Sequence, residues 1–162
     1  MPPSPACFKS VHSYRDELVN VGWIKIGQGA GGTVHGKTGQ DIVVKVSEAD
    51  AGYLAFVKFV SANASACLPR LNLIRDDQNW AVTHIERLNP LSSTGAAKVA
   101  AWWCNYMAAI KSNMALPEPV EWSTMAEALR SMAITNKWGF DMKEANAMER
   151  PDGTIVFTDP LY

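Results

Sequence analysis

Three residues near the carboxyl end of the sequence, Asp141, Asn146 and Asp159, have side chains with oxygen atoms that can bind a metal. Asn146 follows Asp141 by five residues, and Asp159 comes thirteen residues later, at the end of the apolar run 155–157. The turn sequence at 151–153 predicts a β-hairpin between residues 147 and 158. Carboxylate and amide oxygens are the ligands that Mg²⁺ prefers, so Asn146 and Asp159 are candidate metal ligands.

A glycine-rich segment lies far upstream, at residues 27–34. It reads G-x-G-x-x-G-x-V, with Gly27, Gly29, Gly32 and Val34 at its fixed positions, and Lys45 follows on a β-branched run. Such a loop presents backbone N–H groups to phosphate without side chains in the way. The segment lies between two predicted strands and not before a helix, which argues against a dinucleotide-binding fold.

The order of these motifs is more informative than any one of them. A glycine loop, a strand lysine and then Asp, Asn and Asp follow one another in protein kinases at similar separations. We therefore expect an ATP-dependent phosphotransferase that uses ATP and Mg²⁺, with Lys45 on the α and β phosphates. Asp141 would orient the attacking hydroxyl, and Lys143 would stabilise charge on the γ-phosphate.

The remaining pattern predicts an α+β fold in two parts. Residues 1–86 would form an N-lobe with a short helix at 13–20 capped by Ser13, an antiparallel sheet and a helix at 51–64 capped by Asp50. Residues 87–162 would form a reduced, mainly α C-lobe, with helices at 96–111 and 125–134, the catalytic loop and the metal-binding hairpin. A capping box, Thr124-x-x-Glu127, would begin the last helix. The fold class predicted is a truncated bilobal protein-kinase-like fold.

The composition of the chain indicates which kinds of binding partner to expect. The net charge is −1, the pI is near 6.3, and Lys and Arg form no cluster, so we expect no nucleic acid partner. Three widely spaced cysteines fit reduced thiols better than a disulfide framework. No apolar run has the length of a membrane span and no signal pattern begins the chain, so the expected location is cytoplasmic, with no membrane partner.

Several segments together resemble the early serine/threonine protein kinases of T7-like bacteriophages. The similarity covers residues 27–32, 44–46, 51–56, 68–70, 140–146 and 155–160, and the last two segments are its most specific part. The resemblance implies transfer of the ATP γ-phosphate to Ser or Thr of host bacterial proteins, with host shut-off as the result. Under this interpretation the backbones of Glu86 and Leu88 hold the adenine edge, and Ile85 lies behind it.

The sequence departs from ordinary kinases at several positions. Gly139-Phe140 replaces His-Arg before the catalytic Asp, and the helix at 51–64 has no Glu to pair with Lys45, so Glu48 or Asp50 is the expected substitute. The chain ends three residues after Asp159, and self-association or a host partner is expected to supply the substrate platform. A nucleotide-binding pseudokinase and a small-molecule phosphotransferase are the alternatives.

Overall fold

The computed structural model describes residues 1–29, 31–48, 50–77 and 79–162. Ala30, inside the predicted glycine loop, lies outside the described residues, as do Ala49 and Gln78. The chain divides into two compact units. The first comprises Met1–Ser61 and Arg70–Arg87, and the second comprises Ala62–Pro69 and Leu88–Tyr162.

The described residues form four α-helices and seven strands, which confirms the predicted α+β class. The helices are α1 Val11–Asn20, α2 Ala51–Ala62, α3 Ser93–Ser112 and α4 Val120–Asn136. The strands are β1 Ile24–Gly29, β2 Gly32–Gly36, β3 Ile42–Glu48, β4 Leu71–Asp76, β5 Trp80–Glu86, β6 Ala147–Glu149 and β7 Ile155–Phe157. Two short 3-10 helices cover Pro5–Cys7 and Glu144–Asn146. None of the helices in these parts of the chain is long and apolar enough to cross a membrane.

A five-stranded antiparallel sheet dominates the first unit, with the strand order β1-β2-β3-β5-β4. The central strand β3 is rich in β-branched residues, which pack well on a pleated surface. Val34 of β2 lies opposite Lys45 of β3, and Lys45 lies opposite Thr83 of β5. Because side chains alternate along a strand, these three project from the same face of the sheet.

The opposite face of the sheet carries the core of the first unit. Its buried members come from α1, β3 and β5 and the segment before β1; they are Tyr14, Leu18, Trp23, Val44, Val46, Trp80 and Val82. Helix α1 begins two residues earlier than predicted, because Ser10 is the residue that accepts the hydrogen bond from the Ser13 backbone N–H, at 3.2 Å. The assignment of Ser13 as the helix cap was therefore wrong.

Helices α3 and α4 dominate the second unit. Ser92 caps α3 by accepting from the Gly95 N–H at 3.0 Å, and α3 ends where Asn113 adopts a left-handed conformation. Helix α4 begins at Val120, five residues before the predicted start. The predicted capping box was wrong, because the Glu127 carboxylate lies in the second turn and accepts from the Tyr106 hydroxyl and from Arg130.

Aromatic rings fill the space between these helices and the β6–β7 hairpin. Trp102 is 3 % exposed and packs against Phe157, whose ring also meets Trp122 edge-on at 5.3 Å between centroids. The Phe157 N–H donates to the Cys67 carbonyl, which ties the hairpin to the segment 62–69. The hairpin that leads to the last predicted metal ligand is thus anchored in the core of its unit.

Candidate active site

Asp141 lies where two segments of the second unit run antiparallel. Its N–H donates to the Pro160 carbonyl at 2.9 Å, and Phe140 forms an isolated bridge with Leu161. Gly139 and Tyr162 exchange a pair of backbone hydrogen bonds one step further along. Asp141 and the two residues before it are therefore paired with the residues that directly follow Asp159.

Three hydrogen bonds connect Asn146 to Asp141 and to Thr158, the residue before Asp159. Its side-chain amide nitrogen donates to the Asp141 carbonyl at 3.1 Å. Its own carbonyl accepts from the Thr158 N–H at 2.8 Å and from the Thr158 hydroxyl at 3.4 Å. The structure thus connects Asp141, Asn146 and the residues on both sides of Asp159 through one short network, although eighteen residues separate Asp141 from Asp159.

Asp141 is only 7 % exposed, and both of its carboxylate oxygens have partners. One accepts from the Lys143 N–H at 2.9 Å, and the other lies 2.5 Å from the Lys143 ammonium nitrogen. The hydrogen bond to Asp141, then its charge, raises the pKa of Lys143 above its usual value, with smaller support from other groups including Glu144. Lys143 is therefore a cation at neutral pH, held beside the carboxylate that would orient a substrate hydroxyl.

The chemistry of Asn146 and Asp159 fits Mg²⁺. Both supply oxygen donors, and Mg²⁺ commonly takes only one or two protein oxygens and keeps several waters. The Asn146 amide nitrogen is engaged with the Asp141 carbonyl, so the amide oxygen points away from that carbonyl. Within the described ranges no cluster of three or more His, Cys, Asp or Glu side chains could hold a metal. A divalent ion here would rest on one carboxylate and one amide, together with oxygens of the nucleotide.

The nucleotide-binding candidates of the first unit lie on neighbouring strands of the sheet. Val34 and Lys45 lie in one row across β2 and β3. Val43 lies two residues before Lys45 on β3, and its neighbours on the adjacent strands are Gly36 of β2 and Ile85 of β5. Because side chains two residues apart share a face, the lysine projects from the same face as the partly buried side chains of Val34, Val43 and Ile85.

Sequence reasoning overlooked one residue of that surface. Ile26 directly precedes Gly27, and a methyl group placed on Gly36 would come within 3.0 Å of the Ile26 Cδ1 atom, so the Ile26 side chain lies over Gly36. It is 48 % exposed, which leaves part of this aliphatic side chain open to a ligand. An aliphatic residue just before a glycine-rich loop was the available signal.

The glycines of the loop serve different purposes. A side chain at Gly32 would overlap the Val46 carbonyl and the Ser47 backbone of β3, so only glycine permits this close approach of two strands. Among the described residues, and apart from its chain neighbours, a side chain at Gly29 would meet no atom within 4 Å, and one at Gly27 would make ordinary contact with Val34. Packing against the described residues therefore requires glycine at position 32 and sets no such requirement at position 29.

Lys45 is 9 % exposed, and its ammonium nitrogen lies 3.4 Å from the centroid of the Tyr53 ring of α2. The two acids expected as substitutes for the missing helix Glu have other partners. Glu48 forms an ion pair with Arg15 at 2.6 Å, and Asp50 caps α2 by accepting from the Tyr53 N–H. Tyr53, which sequence reasoning did not select, is the aromatic partner of the strand lysine.

The residues expected to hold the adenine edge lie at the end of β5 and just beyond it. Glu86 is the last residue of β5, lies opposite Ile42, and donates its N–H to the Arg70 carbonyl at 2.9 Å. Its carboxylate accepts from the Arg70 N–H at 2.7 Å. Leu88 belongs to the second unit and is partly buried.

Sequence comparison does not assign this chain to a known family. No protein-family model matches the chain, and no curated protein matches its sequence. A proposal of function therefore rests on the chemistry of these residues and on the resemblance of their motifs to kinases.

Proposed function

We propose that this protein is a minimal serine/threonine protein kinase with a reduced protein-kinase-like fold, which transfers the γ-phosphate of ATP to protein hydroxyls. The observation that carries the proposal is the backbone network joining Asp141, Asn146 and the residues that flank Asp159. If Asp141 only formed a turn and Asp159 only ended a strand, neither would need this connection. A site for phosphoryl transfer needs it, because catalysis of that reaction consists mainly of positioning and charge stabilisation.

Each residue has a chemical task in this proposal. Asp141 accepts a hydrogen bond from the incoming hydroxyl and orients its oxygen for attack on the γ-phosphorus. The bond between that hydroxyl oxygen and phosphorus forms as the bond from the γ-phosphorus to the bridging oxygen of ADP breaks, and the hydroxyl proton passes to the Asp141 carboxylate. Lys143, already cationic, stabilises the negative charge on the transferring phosphoryl oxygens. Asn146 and Asp159 hold Mg²⁺, which neutralises phosphate charge when bound.

The sheet of the first unit supplies the nucleotide-binding part. Lys45 provides a positive charge from a rigid central strand, and backbone N–H groups near Gly27, Gly29 and Gly32 bind phosphate oxygens. The apolar surface around Val34 and Ile85 covers the adenine ring, while the backbones of Glu86 and Leu88 hold its polar edge. The half-exposed Ile26 extends that surface toward the glycine loop.

The resemblance to early kinases of T7-like bacteriophages suggests the substrates. Under this proposal they are Ser and Thr residues of bacterial host proteins. Self-association of the chain, or a host partner, completes the surface on which the substrate lies.

Incubation of the purified protein with Mg²⁺ and γ-labelled ATP, with and without bacterial lysate, tests the proposal. We expect label in protein from the wild type and none from Asp141→Asn, which keeps the shape of the side chain but loses its charge. Asp141→Asn should bind ATP nearly as well as the wild type. The control is Asp16→Asn, which changes a carboxylate of α1 outside the site and should label protein at the wild-type rate. Equal labelling by Asp141→Asn and Asp16→Asn would contradict the catalytic role.

A second candidate is a nucleotide-binding protein that acts by contacting a host protein and transfers no phosphate. The observation that favours it is the composition of α2, which carries no acidic residue and presents Tyr53 to Lys45. Binding of ATP without label in either protein or small molecules would select this function. Label that appears only in the small-molecule fraction would instead indicate a small-molecule phosphotransferase.

A further inference from the structure

The pairing of residues 139–141 with 160–162 has a defined register. The Gly139 N–H donates to the Tyr162 carbonyl at 2.6 Å, the Tyr162 N–H donates to the Gly139 carbonyl at 3.2 Å, and the Asp141 N–H donates to Pro160. Leu161, between Pro160 and Tyr162, is 1 % exposed. Since side chains alternate along an extended segment, a slip of one residue would turn Leu161 outward.

A steric contact accompanies this register. The Tyr162 ring lies so close to the Gly139 Cα that a methyl group added at position 139 would overlap three atoms of the ring. Tyr162 is nevertheless 69 % exposed, so burial of its own apolar surface does not account for its position. The ring lies over Gly139, at the position where ordinary kinases carry a histidine.

We propose that Gly139 and Tyr162 form a steric lock that positions Asp159 relative to Asp141. The inference rests on the proposed function, because it assigns the lock to the metal-binding geometry of that site. The lock acts through the backbone: the buried Leu161 and the Tyr162 ring over Gly139 together hold the register, and the register sets the distance from the Pro160 carbonyl, next to Asp159, to the Asp141 N–H. Gly139 and Tyr162 are thus positioning residues that touch neither metal nor substrate.

Gly139→Ala is the first test. The added methyl group should push the Tyr162 segment aside, shift Asp159, and raise the Mg²⁺ concentration for half-maximal MgATP binding by about tenfold or more, as expected for a small misplacement. The readout is ATP affinity measured across a Mg²⁺ titration, together with affinity in EDTA, which should stay unchanged. A residue that only supports folding would lower the melting temperature without changing this Mg²⁺ dependence.

Variants of Tyr162 that remove or keep its ring are the controls for Gly139→Ala. In Gly139→Ala/Tyr162→Ala the overlap no longer exists, so its Mg²⁺ dependence should equal that of Tyr162→Ala alone, which loses the ring over Gly139 and should itself need about threefold more Mg²⁺ than the wild type. Tyr162→Phe keeps the ring and should behave as the wild type. These comparisons stay valid if Gly139→Ala alone folds poorly, because folding should recover in the double variant.

The outcomes separate this inference from the proposed function. A wild type that binds MgATP, with Gly139→Ala showing the same Mg²⁺ dependence, overturns the lock and leaves the kinase proposal intact. No recovery in the double variant also overturns it, because the overlap would not be the cause. A wild type whose ATP binding does not respond to Mg²⁺ overturns both the metal site and the lock.

Discussion

Single residues of the first unit show how a charge is kept in a nearly buried position. Lys45 projects from the middle of a sheet, where removal of an ammonium group from water is costly unless another group compensates. The face of the Tyr53 ring supplies one such compensation through a cation–π contact. The tyrosine therefore serves Lys45 as well as the packing of α2.

Replacement of Tyr53 tests this contact. Tyr53→Leu should weaken ATP binding about three- to tenfold, since a cation–π contact contributes about 0.5–1.5 kcal/mol to holding the lysine in place. Tyr53→Phe keeps the ring and is the matched control, with an ATP dissociation constant close to that of the wild type. Calorimetric titration measures both, and equal weakening by Leu and Phe would assign the effect to the hydroxyl.

At the scale of elements, the β1–β2 hairpin contains one glycine that packing requires, Gly32, and one that it does not require, Gly29. Gly32→Ala should lower the free energy of unfolding by about 2 kcal/mol or more, because the methyl group meets the backbone of β3. Gly29→Ala should change it by less than about 0.5 kcal/mol, because the described residues beyond its chain neighbours place no atom within 4 Å of the added methyl group. Urea unfolding measures both variants.

The same pair also tests the phosphate-binding role of the loop. If Gly29 leaves room for phosphate, Gly29→Ala should weaken ATP binding although its stability is unchanged. Unaltered ATP affinity in Gly29→Ala would remove the glycine loop from the nucleotide site.

A row of residues across the sheet predicts a pH dependence. His35 lies opposite Val44, and Val44 lies opposite His84, so both imidazoles belong to the core face. Burial lowers the pKa of His35 below 6.5, with a further contribution from the charges of Arg15 and Lys25. Burial alone lowers the pKa of His84. Among the described residues, Nδ1 of His35 and Nε2 of His84 are buried without a hydrogen-bond partner, which favours the neutral rings.

The unfolded chain therefore takes up these protons at higher pH than the folded protein does. The neutral histidines should make their full contribution to the free energy of unfolding above pH 6.5. That free energy should decrease as the pH falls from 6.5 toward the folded-state pKa values of the two rings. Urea unfolding between about pH 7.5 and 5.5 measures the slope, which should be smaller in His35→Gln. His12→Gln, at an exposed position of α1, should keep the wild-type slope.

At the scale of the molecule, the second unit joins its core directly to its candidate catalytic residues. Phe157 packs on Trp102 and Trp122, and the next residue, Thr158, holds the Asn146 carbonyl. The aromatic core therefore determines where the β6–β7 hairpin, which leads to the candidate metal ligand Asp159, ends.

Phe157→Leu should lower the free energy of unfolding by about 1–2 kcal/mol, since it keeps apolar volume but loses two ring contacts. It should also raise the Mg²⁺ concentration needed for MgATP binding. Ile134→Leu, an exchange at a 64 % exposed position of α4, should alter neither property. Loss of stability without a change in Mg²⁺ dependence would show that the core does not position Asn146.

Local patterns predicted most elements correctly, because local chemistry determines them. The β-branched run at 42–46 became β3, Asp50 does cap α2, and the turn at 151–153 does join two strands. Helix starts were less accurate: Ser10 and Ser13 are both good capping residues, and only the direction of the chain before α1 selects Ser10. Glu127 suited a capping box, but Tyr106 and Arg130 engage it instead.

The sequence alone determined the α+β class, the succession of elements and the residue types of the candidate site, because spacing and side-chain chemistry are properties of the chain. Only the tertiary structure decided that Tyr53 lies against Lys45, that Glu48 pairs with Arg15, and that Tyr162 packs on Gly139. Such pairings depend on which distant segments meet in space. No local pattern encodes that meeting, because it follows from the packing of whole elements.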